Sequence, residues 1–254
     1  MISVTLFALA FLCPLAGTGI GIALRRRLPE HHLSHDSIDV IKLAMGLMAT
    51  LVALTLGLLI QSASRYRATI ETEYRLILSS IVHLDEYLQA YGPEATEIRE
   101  HIRQIAARSF QARWPNEDFG PTGPTPDAGR SQFTDVQRQI VGLEPANAAQ
   151  RWFQSQALQI TNRLSDLRWL VMNQEATTAP LVSVFILIFL SSIAIFGSFS
   201  LSVRPNPTVF AVISLTALAI AGATFLIVEM NNPFHGLLYI SSQGARAVMT
   251  VIGH

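Results

Sequence analysis

"SIDVIKLAMGLMATLVALTLGLLIQSASRYRATIETEYRLILSSIVHLDEYLQAY", residues 37–91, changes character halfway without a break. Leu43 to Ile60 carries no charged residue, whereas the second half is rich in Arg, Glu and Asp. No Pro or Gly falls between Gln61 and Tyr91, so nothing local interrupts a helix. In that second half Ile70, Tyr74, Ile77, Ile81, Leu84, Leu88 and Tyr91 are spaced alternately four and three apart, a helix-packing seam. The stretch predicts one continuous helix of ~80 Å at 1.5 Å per residue, enough to cross a bilayer and stand clear of it.

Composition agrees. Of 254 residues half are hydrophobic and 14% charged, and the mean hydropathy is +0.36. A soluble domain carries about 25% charge. The deficit is concentrated in four segments: Ile2 to Leu24, Leu43 to Ile60, Ala179 to Leu201 and Val209 to Val228. Each is near the ~20 apolar residues that a spanning helix needs. The first has no basic n-region and no small-x-small cleavage pattern, so it reads as a span and not as a signal peptide. The prediction is an all-α, four-span helical membrane protein whose long helices extend into a soluble helical bundle between spans 2 and 3. Its parts are a transmembrane hairpin at 1–62, a soluble helical insert at 63–176, a second hairpin at 177–229, and a C-terminal motif and tail at 230–254.

Within the insert a second seam, Phe153, Ala157, Ile160, Leu164, Leu167 and Val171, is expected to pack antiparallel to the first. "GPE" at 92–94 ends the long helix and opens another, with Ile98, Ile102, Ile105 and Phe110 on its apolar face. A Gly/Pro-rich loop follows from Trp114 to Phe133, then a short helix around Asp135 to Val141. The insert holds 12 Arg against 14 acidic residues, a mixed surface without a strong field. No Lys/Arg cluster is large enough for nucleic acid.

Span 2 carries the most informative pattern. Lys42, Gly46, Thr50, Ala53, Gly57 and Gln61 share one face; Leu47, Leu51, Leu54 and Leu58 share another. Small residues let helices approach closely in lipid, so the first stripe reads either as a helix–helix seam or as a pore lining with Lys42 at one mouth, where positive charge favours anions. Snorkelling is the competing role for Lys42.

The first loop groups Glu30, His31, His32, His35 and Asp36. Histidine titrates near neutrality, so a pH-responsive loop is one reading; a polar turn with Ser34 or Asp36 capping span 2 is another. Metal binding is a third reading, since His31 and His35 would share a helical face at a spacing seen in zinc sites, but Pro29 precedes them and no second cluster completes a tetrahedral set unless His235, His254 or a second subunit contributes, so no metal or cofactor is expected. There is no GxSxG, HExxH, P-loop or Gly-rich dinucleotide turn, so no enzyme is expected. Cys13 is the sole cysteine and forms no intrachain disulfide.

Near the end "LIVEMNNPFHGLLYISSQ", 226–243, follows span 4. Asn232-Pro233 stops the helix, Phe234 suits an interfacial anchor, and Gly236 permits a reversal. The cluster reads as a plain helix stop, a structural lock or part of a permeation path, with the lock favoured. The stretch after it is expected to pack back on the insert or on a neighbouring subunit.

At "LPEHHLSHDSIDVIKLAMGLMATLVALTLGLLI", 28–60, at "YGPEATEIREHIRQ", 91–104, at Trp114-Pro115 and at "EMNNPFHGLLYIS", 229–241, the chain resembles a family of bacterial membrane proteins with a bestrophin-like domain. The family's terminal pattern corresponds here to Glu229, Asn232, Pro233, Phe234, Gly236, Ile240 and Ser241. Where relatives carry an acidic or other polar residue before Pro-Phe, this chain has Asn231 and Asn232, which removes the basis for a charged role there. The resemblance implies a multi-pass protein of the bacterial inner membrane. Bestrophins are pentameric anion channels whose second span lines the pore. By that analogy the chain is a homo-oligomer, a pentamer, with a hydrophobic gate from Leu47, Leu51, Leu54 or Met48. The alternative is a non-conducting scaffold or sensor whose insert binds a protein partner. Arg25, Arg26, Arg27 and Arg204 in the short loops place those loops in the cytoplasm, whereas the bestrophin analogy places the insert there.

Overall fold

The computed structural model describes residues 2–29, 35–120, 130–175, 180–203 and 206–252. Its helices are α1 (Ile2–Arg25), α2 (His35–Tyr91), α3 (Thr96–Arg113), α4 (Arg130–Val141), α5 (Ala148–Glu175), α6 (Pro180–Ser202), α7 (Pro207–Met230) and α8 (Gln243–Val251). Among the described residues there is no strand. Four helices, α1, α2, α6 and α7, are long and apolar enough to cross a membrane. The protein is thus all-α with four spans, and α2 runs unbroken for 57 residues, as the uninterrupted sequence of 37–91 predicts.

The chain divides into two compact units. Unit 1 comprises Met1–Ala68 and Thr177–Leu238, and unit 2 comprises Thr69–Ala176 and Tyr239–His254. Helix α2 contributes to both.

In unit 1, α1 packs on α6 and α7. The α1–α6 contact is built on glycine. A Cβ placed on Gly17 would lie 2.5 Å from the Ile193 carbonyl oxygen, and one on Gly21 would lie 2.8 Å from Ser200 Cβ. Gly197 faces Gly17 from α6. These are the close backbone approaches that small residues allow in a lipid environment, where no hydrophobic drive holds helices together. Around them Ala10, Phe185, Ile188, Phe189, Ala221 and Ile227 form a buried cluster. Helix α7 opens on a side-chain cap: Asn206 Oδ1 accepts from the Val209 amide at 2.8 Å, with Pro207 in the first turn.

In unit 2 the seams lie where their spacing puts them. Ile70, Tyr74, Ile81, Leu84, Leu88 and Tyr91 are buried, as are Ala157, Leu164 and Val171 of the second seam. The pairing is antiparallel. Near the end of α2, Tyr87 meets Trp152 edge-on at 5.7 Å, and Gln150 Nε2 donates to the Tyr91 carbonyl at 3.0 Å. Farther back along α2, Leu76 shares a groove with Arg163 of α5. Gly92, at φ 131°, makes the turn out of α2, and a short 3-10 turn at Pro93–Ala95 leads into α3. Helix α3 buries Ile98, Ile102, Ile105 and Phe110. It is pinned to α2 by Arg99, which donates to both oxygens of the buried Asp85 at 2.7 and 2.9 Å. A buried carboxylate requires such pairing. Helix α4 begins at Arg130, five residues before the start read from the sequence, where the leading stretch "RSQFT" carries a single apolar residue and so no periodic signal.

Candidate functional site

The membrane half of α2 is covered by the described residues of its own chain on one face only. Met45, Leu56 and Ala63 are buried, and Val52, Leu59 and Ile60 pack against the unit 1 cluster. Just 6% of the most apolar window of α2 is buried, against 28%, 28% and 33% in the other three spans. At 100° per residue, the face opposite Met45 and Leu56 is the leucine stripe, Leu43, Leu47, Leu51, Leu54 and Leu58, all of it exposed. The small-residue stripe lies on the flank between them.

Every member of that stripe is exposed: Lys42, Gly46, Thr50, Ala53 and Gly57. A Cβ on Gly46 or Gly57 would meet nothing within 4 Å. The contrast with Gly17 and Gly21 is sharp, since those two glycines are filled by a neighbouring backbone. Thr50 Oγ1 donates to the Gly46 carbonyl at 2.8 Å, within its own helix. Among the described residues, the stripe is therefore not a seam with another helix of the chain.

Lys42 has a partner that the sequence reading overlooked. Its Nζ stands 3.0 Å from Asp39 Oδ1, with both side chains more than half exposed. The i,i+3 spacing was the available signal. Asp39 reduces the net charge that Lys42 presents at that end of the span. His31 and His32 of the first loop lie outside the described residues, and His35 opens α2.

The terminal cluster is a closed set of hydrogen bonds. Glu229 is 3% exposed in the last turn of α7, and its Oε2 accepts from the Leu237 amide at 2.6 Å. Gly236, at φ 98°, turns the chain back over that carboxylate. A Cβ on Gly236 would lie 2.8 Å from Glu229 Cδ. Asn231 Nδ2 donates to the Ile227 carbonyl and Asn232 Nδ2 to the Val228 carbonyl, each at 2.7 Å. The Ile227 carbonyl also accepts the Asn231 amide at 3.2 Å, whereas the Asn232 amide turns to the Glu229 carbonyl, so the Asn232 side chain supplies the donor that the Val228 carbonyl loses at the helix end. An ionised Asp has no donor and cannot make these bonds, which gives a physical reason for asparagine at both positions. Pro233 is buried behind them, and Phe234 is half-buried.

Beyond this cluster, within unit 2, the tail returns to the insert. Trp114 Nε1 donates to the Ile240 carbonyl at 3.1 Å. Glu117 accepts from Ser242 Oγ at 2.6 Å and from Arg246 Nε at 2.9 Å. Those two bonds, Arg246 first, hold the Glu117 carboxyl below its ordinary 4.5. Trp114 carried part of the family resemblance, but its partner lies 126 residues away, and no local pattern points to it.

Four apolar spanning helices, a span 2 with two bare faces and a hydrogen-bonded terminus after span 4 define an α-helical multi-pass membrane protein. The chain belongs to the Bestrophin-like domain family, whose pattern matches residues 12–245. No curated protein and no solved structure matches it.

Proposed function

We propose that the protein is a homo-oligomeric, anion-permeable channel of the bacterial inner membrane, remotely related to bestrophins, with span 2 at the pathway. It is not an enzyme and uses no cofactor. One observation carries the reading: span 2 is covered by its own chain on a single face, so its leucine and small-residue stripes await other copies, lipid or water. In a closed ring of subunits the two bare faces serve different purposes. One meets the neighbour, and the other lines the axis. Lys42, Gly46, Thr50, Ala53 and Gly57 are the lining candidates, and the leucine stripe is then the face that meets the neighbour. The terminal cluster, Glu229, Asn232, Pro233, Phe234 and Gly236, holds the end of span 4 and takes no part in permeation.

The deciding experiment is chloride flux from liposomes containing the purified protein. Wild type passes chloride, and Lys42→Glu abolishes or inverts the preference for anions, because charges in a confined opening act in a low effective dielectric. Lys42→Gln weakens the preference. Absence of flux in wild type and variants alike would instead support a scaffold or sensor whose insert binds a protein partner. Chloride flux with selectivity untouched by Lys42→Glu would remove the polar stripe from the pathway.

A further inference from the structure

In unit 2, helices α2, α3, α4 and α5 leave between them a partly open cavity of about 150 Å³. Ile81 and Leu84 of α2, Ile105 and Phe110 of α3, Val136 of α4 and Leu164 of α5 line it. All six are buried, so the gap lies in the core of the bundle. Protein interiors are close-packed, and voids larger than a water molecule are few. Side chains around such a void lose the dispersion contacts that a filled core supplies. The gap destabilises the bundle as truncation of a large core side chain does.

Water and ions fill this space poorly. An ordered water needs about two to four polar partners, and the aliphatic wall provides none. Arg113 and Arg168 also line the cavity, but both are engaged within the protein. Arg113 Nη1 donates to the Ser109 carbonyl at 3.2 Å, and its guanidinium carbon lies 5.8 Å from the centre of the Tyr74 ring. A charged ligand would therefore give up its hydration against a wall that returns no hydrogen bond. A neutral apolar body loses nothing on entry and restores the missing contacts. An apolar cavity of this volume, walled by Leu, Ile and Phe, takes up a benzene-sized molecule.

We infer that this cavity is a binding site for a small neutral apolar molecule built on a single ring, of about the size of toluene, held by the aliphatic core residues of α2, α3, α4 and α5. The site lies wholly within unit 2 and stands whether or not the protein conducts.

The test uses the full-length protein in lipid nanodiscs, with methyl-labelled isoleucines read by NMR. The probes are toluene, benzoate and benzylammonium. Toluene also dissolves in lipid, so Ile20 and Ile186, exposed on α1 and α6, serve as the internal control. With toluene the Ile81 and Ile105 methyl resonances are expected to shift and saturate, whereas those of Ile20 and Ile186 drift in proportion to the amount added. Benzoate and benzylammonium are expected to leave Ile81 and Ile105 unmoved. Leu164→Phe fills the cavity and removes the saturable shift. The variant is checked for helicity and monodispersity, and where it fails to fold, the contrast between the two pairs of isoleucines in wild type decides. Shifts at Ile81 and Ile105 that do not saturate, that match those of Ile20 and Ile186, that persist in folded Leu164→Phe, or that either charged probe reproduces would overturn the assignment.

Discussion

At the scale of single residues, the terminal cluster rests on one carboxylate and one glycine. Glu229, itself buried, accepts the Leu237 amide. Glu229→Ala should destabilise the protein by about 1.5–3 kcal/mol, the range for hydrogen bonds to charged groups. Glu229→Gln should cost less, because its amide oxygen still accepts. Gly236→Val should be the more damaging change. It places a β-branched side chain at φ 98° and drives a Cβ into the Glu229 carboxyl group. Thermal unfolding and folded yield in mild detergent measure all three. A Gly236→Val protein that assembled normally but had altered transport would move the cluster into the permeation path. Glu117 offers a pH-dependent counterpart. Its folded-state pKa is depressed, so its contribution is complete above 4.5 and is lost as pH falls through the lower folded value. Below that range hydrogen exchange in α8, corrected for its intrinsic pH dependence, should rise. Glu117→Gln should show the raised exchange already at neutral pH.

At the scale of elements, the glycines of different spans have opposite surroundings. Gly17 and Gly21 in α1 sit against the α6 backbone, whereas Gly46 and Gly57 in α2 face open space. Gly21→Leu should therefore lower the stability of the protomer itself, read as reduced folded yield. Gly57→Leu should leave the protomer folded and change its self-association, read by cross-linking in native membranes. Equal loss of protomer in both variants would contradict this division. The Lys42–Asp39 pair makes a further distinction. Asp39→Asn removes the counter-charge and, if span 2 lines the pathway, should strengthen the preference for anions in the flux assay. An exposed i,i+3 pair contributes little to stability, so the substitution should change unfolding by well under about 1 kcal/mol. The elements themselves were largely legible in the sequence. Helical spacing located α2, α3 and α5 because period and burial are local properties of a helix. The start of α4 was missed because a leading stretch with a single apolar residue carries no such signal.

At the scale of the whole molecule, a four-span unit with so little of α2 covered is expected to self-associate. Mass measurement in mild detergent should give a multiple of 27.9 kDa, five copies if the bestrophin analogy extends to stoichiometry. A monodisperse monomer, with no cross-linking in native membranes, would count against both the oligomer and the proposed pathway. In the expected oligomer several copies of Lys42 and Asp39 are brought to one mouth, which is where their charges matter most.

The sequence by itself determined the four spans, the unbroken α2, the seams of the insert and the family. Each depends on composition or on spacing within one segment, and the free energy of placing an apolar helix in lipid is a property of that segment alone. The tertiary structure decided which face of α2 remains bare, which glycines are filled, that Glu229 is the acceptor beneath Gly236, and that Trp114 and Glu117 hold the tail. Those choices join residues far apart in the chain, or rank faces that look alike in a helical projection. They follow from which backbones come close enough to touch, and spacing along one helix carries no information about its neighbour.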